Sequence, residues 1–402
     1  MLGGMRAVTW TQVAQYIVLI IAYLLPIFWI SNKMGAGFFP HFMLADEVAR
    51  IGELEAQFGF VKNSAADLAS VPKGLAGITK AHSAVNATPW AFISLALAMM
   101  MGTASLPHVM MRYFTTPSVK AARKSVGWSL FFIFLLYSSA PMLATLSKLS
   151  LIDPTLPTGI IGKTFAEVQA IDWYQNWNQA NLMFISDFNG NGTLELNEFF
   201  MGGKAVVLAT PEIAGLPYVI SGLVAAGGMA AAMSTADGLI LAIANAISHD
   251  VYYKMIDPKA ETAKRLVVAR VLLVVIGFAG ATIAAMQIQG ILGSVIWAFD
   301  FAMSGLFFPL VLGVWWKRAN REGAIAGMAL GLASAIWYLV WVRTGGSGFL
   351  GITQLTFGIF GAAVSLVSMV VVSLMTSAPN AATQKMVDEV RIPSGRSIVG
   401  KQ

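Results

Sequence analysis

The chain has 402 residues, of which 57% are hydrophobic and 11% are charged, whereas soluble domains carry roughly 25% charged residues. This composition predicts a membrane protein. With no cysteine, disulfides and thiolate chemistry are excluded, and the four histidines show no metal-binding spacing. No loop for a nucleoside triphosphate is present, so neither an enzyme nor an ATP-driven pump is predicted. The net charge of +6 is dispersed between apolar stretches, which favours a lipid bilayer over nucleic acid as the partner.

Eight apolar stretches are long enough to cross a bilayer, which takes about 20 residues in a helix. Their continuous runs of Ala, Leu and Met are typical of helices and not of barrel strands. The predicted fold class is therefore all-α, a polytopic membrane helix bundle. The eight stretches lie near residues 8–30, 89–111, 125–147, 214–247, 266–288, 290–316, 322–342 and 350–376.

The short basic connections predict the orientation of the chain. Residues 112–124 contain four basic residues and no acidic residue, a bias that is typical of cytoplasmic loops. With eight spans, both termini of the chain are then predicted to be cytoplasmic. The transmembrane region covers residues 1–376 and is followed by a cytoplasmic tail, 377–402. Two long loops, 31–88 and 148–211, are predicted to face the periplasm.

The fourth stretch contains a polar group in the middle of its apolar run. Ser234 and Asp237 are three residues apart and share one helix face, and Thr235 lies beside them. An ionisable group at this depth costs about 2.5–3.5 kcal/mol, which makes it a functional hypothesis by default. Hydroxyl oxygens with one carboxylate suit a small, hard cation. Two alternatives stay open: a proton site, and hydroxyls that bond only their own helix or a neighbouring helix.

Two other stretches contain features of a transport pathway. In the second stretch, Gly102 and Pro107 lie close together, which predicts either a broken helix that exposes backbone atoms or a simple proline kink. In the sixth stretch, Asp300 is either functional or paired with a polar group of another helix. The seventh stretch carries glycines at four-residue spacing, which predicts close helix packing: Gly323, Gly327 and Gly331.

Residues 187–198 resemble the calcium loop of an EF-hand. They fit the pattern D-x-[DN]-x-[DN]-G-x5-E at every required position. A helix is expected to precede the loop from about Thr164, and Asn197 to Phe200 are expected to open an exit helix. Weak, structural Ca²⁺ binding is predicted, and the alternative is an Asn/Gly-rich turn without metal. The predicted ligands are Asp187, Asn189, Asn191, Thr193, Glu195 and Glu198.

Four motifs together resemble the sodium:solute symporter family, and especially its bacterial cation/acetate (monocarboxylate) branch. They are GGMRAVTWTQVAQ at 3–15, LPHVMMRYF at 106–114, AAAMSTADGLILAIANAISHDVYYK at 230–254 and FFPLVLGVWWKRANREG at 307–323. The resemblance implies part of a five-plus-five inverted-repeat transporter fold. It also implies that Ser234 and Thr235 are the sodium-binding hydroxyl pair, that the Ala231 carbonyl joins them, and that Na⁺ is the transported ion.

The chain departs from this family in two respects. Gln12 stands where proline-type and sugar-type members often carry Asp. The family's first four core helices have no counterpart here, so the resemblance implies a truncated chain, an incorrectly placed start or one part of a split protein. The expected function is Na⁺-coupled symport of a small organic solute, with a monocarboxylate such as acetate favoured. The alternatives are a non-transporting sensor or interaction protein on a transporter fold, and an inactive fragment. Gln12, Ser105, Pro107 and Asp300 are expected along the substrate pathway, and Asp237 is expected to tune the cation site or take a proton.

Overall fold

A computed structural model describes residues 4–35, 37, 40–59, 69–72, 75–77, 89–286, 288 and 290–391. Within these ranges, seven helices are long and apolar enough to cross a membrane. An eighth span arises if a helix pair bent by 48°, Phe92–Ser105 with Pro107–Tyr113, is counted as one. The prediction of an all-α polytopic membrane protein is therefore confirmed. The final residues of the predicted tail, 392–402, lie outside the described residues.

The membrane-crossing segments follow one another as mainly α-helical elements. They are α1 (Gly4–Lys33), α3 (Pro89–Ser105) with α4 (Pro107–Met110), α5 (Val119–Ile152), α9 (Tyr218–Asn245), α10 (Thr262–Ala285), α11 (Ile291–Ala302), α12 (Phe308–Trp315), α13 (Arg321–Arg343) and α14 (Gly358–Met375). Two π-helical segments, Ala246–Ile256 and Met303–Phe307, extend α9 and join α11 to α12. The remaining helices are α2 (Leu44–Gln57), α6 (Phe165–Gln169), α7 (Asp172–Gln179), α8 (Val206–Ile213) and α15 (Ala381–Val390).

The chain divides into two compact units. The first comprises residues 1–7, 85–125 and 237–402, and the second comprises 8–84 and 126–236. The boundary falls inside α9, directly after Ala236. Both units therefore contain membrane-crossing helices, whereas the folded part of the long loop 148–211 belongs to the second unit alone.

The predicted glycine contact is found in the first unit, where α13 packs against α14. A Cβ atom at Gly323 would lie 1.9 Å from the Ser373 hydroxyl oxygen, and one at Gly327 would lie 3.0 Å from the Met369 Cβ. At Gly331 it would lie 2.2 Å from the Ser304 carbonyl oxygen. Only hydrogen fits at these positions, so the prediction of close packing is confirmed.

The loop 148–211 in the second unit has a hydrophobic core of its own. Leu149, Ile160, Leu194 and Phe199 are all fully buried there. A three-stranded antiparallel sheet in the order β1-β3-β2 accompanies this core. The sequence analysis did not predict this sheet. Its strands are β1 (Leu75–Gly77), β2 (Met183–Ile185) and β3 (Phe199–Gly202).

The predicted helix–loop–helix around residues 187–198 is only half correct. Helices α6 and α7 do precede the loop, and Thr164 caps α6 in a reciprocal capping box with Glu167. The hydrogen bonds from the Thr164 amide and hydroxyl lower the pKa of Glu167. The prediction of an exit helix is wrong, because Phe199 and Phe200 belong to strand β3. Both rings are buried, and β3 pairs with both neighbouring strands, which a helix would not allow.

Candidate cation site

Helix α9 carries the predicted cation ligands and is continuous through them. Ala231 and Ser234 are half-buried and Thr235 is exposed. The Thr235 hydroxyl donates a hydrogen bond to the Ala231 carbonyl oxygen at 3.3 Å. Two of the predicted oxygen ligands are thus adjacent. The same hydrogen bond is also what the alternative interpretation predicts, in which the hydroxyls bond only their own helix and hold no cation.

Gln12 of α1 reaches this part of α9. Its Nε2 donates to the Ser234 carbonyl oxygen at 2.7 Å, and only 7% of the Gln12 residue is exposed. Seven residues earlier on α9, a Cβ at Gly227 would lie 2.5 Å from the Ala22 Cβ, so the two helices are in close contact. Gln12 therefore lies against the backbone of the predicted cation group, a contact that its place in the sequence does not reveal.

Asp237 lies on the same helix two residues beyond Thr235. It is half-buried, and the ion pairs found among the described residues do not include it. Because Asp237 follows Ser234 by three positions, the two residues lie within one helical turn of each other on α9.

The predicted pathway residues of the second stretch lie where the helix breaks. α3 ends at Ser105 and α4 begins at Pro107, with Leu106 in an extended conformation. The helix bends by 48° at this point, which is expected both of a broken helix and of a simple proline kink, so both alternatives stay open. The Ser105 hydroxyl is buried and donates to the carbonyls of Met101 and Gly102 at 2.8 and 3.0 Å. In this arrangement its hydrogen is bound within its own helix.

Asp300, in α11, is completely buried. Neither of its carboxylate oxygens makes a hydrogen bond within the described part of the chain. α11 packs directly against α3, since a Cβ at Gly102 would lie 2.6 Å from the Phe299 Cβ. The predicted pathway residues Ser105, Pro107 and Asp300 thus share the first unit, whereas Gln12 belongs to the second.

The calcium-like loop, residues 187–198, is closed by hydrogen bonds to side-chain oxygens. The two Asp187 oxygens accept the amides of Gly190 and Gly192 at 2.7 and 3.0 Å. Asn189 and Asn191 accept the amides two residues further on and donate to the Glu195 Oε1. Gly190 and Gly192 both have φ of 72°, the left-handed region that the predicted sharp turn requires.

Glu198 closes the far end of this loop. It is 1% exposed, and its two oxygens accept the amides of Phe188 and Glu195, both at 2.9 Å. A carboxylate or amide oxygen has two lone pairs, so an oxygen that accepts one amide hydrogen can still offer a lone pair to a cation. The loop therefore contains the types of oxygen ligand that Ca²⁺ binds. No group of three or more His, Cys, Asp and Glu residues that could hold a metal ion is found within the described ranges, so the three carboxylates of the loop, Asp187, Glu195 and Glu198, are not gathered around one metal position.

The sequence analysis did not single out a cleft in the second unit. Its volume is about 740 Å³, and it lies between α7, α8 and the first turn of α9. Trp177 donates its indole N–H to the Glu212 carboxylate at 2.9 Å along one wall. The sequence does contain one indication of this cleft. On α7, a polar residue is followed by a tryptophan twice at a spacing of one helical turn, as Asp172-Trp173 and Asn176-Trp177.

Comparisons with known proteins agree with this architecture. The chain is 34% identical to an uncharacterized symporter of Cupriavidus necator, over 93% of this chain and 67% of that protein. It is 26% identical to a monocarboxylic acid transporter of Corynebacterium glutamicum, over 84% of this chain and 52% of that protein. A solved Na⁺-coupled sialic acid symporter in a substrate-bound, outward-open state matches 94% of this chain and 64% of its own chain. Its TM-score is 0.55, and at 17% identity it shows the fold alone.

The chain thus spans about two thirds or less of the length of these proteins. The sequence pattern of the sodium:solute symporter family matches residues 1–151 and 204–331, which is more than half of the chain. The unmatched segment between them contains most of the loop with the calcium-like motif. The protein is a multi-pass membrane protein with a transporter fold, and it belongs to the sodium:solute symporter family.

Proposed function

We propose that this protein takes part in Na⁺-coupled symport of a small organic solute across the bacterial inner membrane, with a monocarboxylate such as acetate as the favoured class. Family membership supports transport, and the Corynebacterium relative supports the solute class. One observation carries the proposal. In the middle of membrane helix α9, the Ala231 carbonyl and the Thr235 hydroxyl are 3.3 Å apart, with Ser234 next to them.

In this proposal the two hydroxyls and the carbonyl of α9 supply neutral oxygen ligands to Na⁺. Thr235 already points at the Ala231 carbonyl, so a rotation of its hydroxyl hydrogen is enough to turn a lone pair to a cation. Asp237 adds a negative charge one turn away or takes a proton. Inward movement of each Na⁺ contributes about 2.3 kcal/mol per 100 mV, which drives solute uptake without ATP.

The substrate pathway is proposed along Gln12, the break at Ser105 and Pro107, and Asp300. The break supports this placement, because transporters bind solutes where helices unwind. Both ends of the chain are proposed to be cytoplasmic, and the loops 31–88 and 148–211 are proposed to be periplasmic. The basic connection 112–124 supports this orientation.

We predict that Ser234→Ala and Thr235→Ala each raise the Na⁺ concentration for half-maximal uptake about 10- to 100-fold. The reason is that a lost hydrogen bond or ligand to a charged species costs about 1.5–3 kcal/mol. The measurement is acetate uptake into membrane vesicles over a Na⁺ series.

Thr282→Ala is the matched control for this prediction. Thr282 of α10 is also exposed, and its hydroxyl also donates to the carbonyl one turn back, that of Phe278, at 2.9 Å. A general effect of losing such a bond would appear in the control as well. Uptake with unchanged Na⁺ dependence in both α9 variants would reject the cation site. Saturable acetate binding without any uptake would favour the sensor alternative.

We also propose that the loop 187–198 binds Ca²⁺ weakly in the periplasm, as a structural ion. Ca²⁺ at about 10 mM, roughly ten times a millimolar dissociation constant, is then expected to raise the thermal unfolding midpoint of the wild type, since it adds about 1.4 kcal/mol of stability. Glu198→Gln is expected to abolish this Ca²⁺-dependent shift, because it removes the predicted bidentate ligand.

The control for the Ca²⁺ prediction is Glu167→Gln, which removes a carboxylate of the same loop region outside residues 187–198. For each variant, the unfolding midpoint is measured with and without Ca²⁺ and the difference is compared. A variant that is less stable in both conditions therefore does not change the result. A shift that persists in Glu198→Gln at its wild-type size would show that Ca²⁺ acts elsewhere or that the loop is a turn without metal.

A further inference from the structure

Asp300 is enclosed on one face of α11 by the segment that leads into α14. One turn before it, the Trp297 indole donates to the Gln354 carbonyl at 2.8 Å. Directly after it, the Phe301 ring lies 4.9 Å from the Phe357 ring, measured between centroids. The carboxylate is 0% exposed, and neither of its oxygens has a hydrogen-bond partner within the described residues. A charged group in this position would be unsolvated and unpaired.

On the side that faces α14, this carboxylate has no space for a metal ion with its ligands. A Cβ at Gly358 would lie 2.7 Å from the Asp300 Oδ1 and 2.6 Å from the Met303 Cε. One turn further, a Cβ at Gly361 would lie 2.4 Å from the Ser304 hydroxyl oxygen. The backbones of α11 and α14 are in direct contact there, whereas a metal cation needs several oxygen ligands around it. A proton needs no such space.

The helices packed against α11 bring no counter-charge to Asp300. In the described part of the chain, α3, α14 and the π-helical segment Met303–Phe307 contain no titratable side chain. On α13, Arg321 and Glu322 lie in the first turn, and the Tyr338 hydroxyl donates to the Ile352 carbonyl at 3.1 Å. Arg343, at the other end, stacks over Trp297 with its guanidinium carbon 5.1 Å from the ring centroid.

One backbone donor lies near the carboxylate, the amide of Gly358 at the start of α14, but its geometry is not that of a hydrogen bond. A carboxylate that remains ionised at a buried position normally accepts two or three such donors or faces a cation. A single amide offsets only part of the cost of removing the charge from water. The neutral acid is therefore the form that fits the site, because an uncharged carboxyl group needs no counter-charge and is less costly to bury.

We propose that Asp300 is a proton-binding site, which holds its proton as a neutral carboxylic acid while α11 and α14 are packed together. When the two helices separate and admit water, the O–H bond breaks, the electron pair stays on the carboxylate and the proton passes to water. The separation is thereby linked to the release of one proton. This inference uses no residue of α9, so it holds or fails independently of the proposed Na⁺ site.

Infrared spectroscopy of the purified, reconstituted protein tests the inference without measuring transport. At neutral pH, the wild type is expected to show the C=O stretching band of a protonated carboxylic acid, and Asp300→Asn is expected to lose it. Asp257→Asn is the matched control, because Asp257 is outside the membrane helices and pairs with Lys264 at 3.0 Å, so the band should remain. A wild-type spectrum without this band, or one that Asp300→Asn leaves unchanged, overturns the proposal.

A second variant covers the case in which Asp300→Asn does not fold, and a second readout applies where it does fold. Asp300→Glu keeps the acid and is expected to shift the band without removing it. In addition, a folded state that retains a proton that the unfolded chain has released becomes less stable as the pH rises. The wild-type unfolding midpoint should therefore fall from weakly acidic to alkaline pH more steeply than that of Asp300→Asn. Equal slopes would contradict the proposal.

Discussion

Gly331→Ala is expected to destabilise the first unit by about 1–2 kcal/mol, even though alanine is the better helix former. The added Cβ would lie 2.2 Å from the Ser304 carbonyl oxygen and 2.7 Å from the Ser365 Cβ. Both neighbours belong to packed helical segments, so the backbone has to move, and overpacking of this kind costs about 1–3 kcal/mol. The gain in helix propensity of about 1 kcal/mol offsets only part of this cost.

The measurement is the thermal unfolding midpoint of the purified protein in detergent, with Gly280→Ala as the control. Gly280 is also in a membrane-crossing helix, α10, but a Cβ there would meet no atom within 4 Å. Gly280→Ala is therefore expected to leave the midpoint unchanged or to raise it. If the two variants behave alike, the close contact of α13 with α14 is not the reason for the glycine at position 331.

The features that were predictable from the sequence are those set by a short stretch of chain. Each membrane span follows from the composition of about 20 consecutive residues, and the bend in the second span follows from Pro107. The glycines of α13 at four-residue spacing fall on one face whatever they pack against. For the same reason, the positions of Ser234, Thr235 and Asp237 along α9 could be predicted from spacing alone.

The features that were not predictable depend on partners far away in the sequence. Gln12 and the Ser234 carbonyl are 222 residues apart, and no periodicity within either helix indicates that they meet. The enclosure of Asp300 depends on Gly358, whose role is visible only once α11 and α14 are packed. The strands around the calcium-like loop are three or four residues long, too short for an alternation pattern, and pairing with β1 and β2 decided the conformation of β3.

Gln12→Glu is the second substitution with a large expected effect, because it exchanges a donor for an acceptor at 2.7 Å from the Ser234 carbonyl oxygen. The Gln12 amide group stabilises this carbonyl with a hydrogen bond, whereas a carboxylate would face it with a full negative charge in a buried position. At low Na⁺ and neutral pH, a buried charge without its partner is expected to lower the free energy of unfolding by about 3–5 kcal/mol.

Gln12→Leu separates the two parts of this effect, since it removes the hydrogen bond without adding a charge. The Ser234 carbonyl keeps its place in the α9 backbone ladder, so this variant is expected to lose only about 1 kcal/mol. In Gln12→Glu, by contrast, the new carboxylate and the Ser234 carbonyl oxygen would lie close together, and both can bind the same cation. Added Na⁺ or a lower pH should therefore restore the stability of Gln12→Glu and leave Gln12→Leu unaffected, measured as unfolding midpoints over a Na⁺ series and a pH series. If Na⁺ has the same effect on both variants, the carboxylate at position 12 does not face the α9 carbonyl.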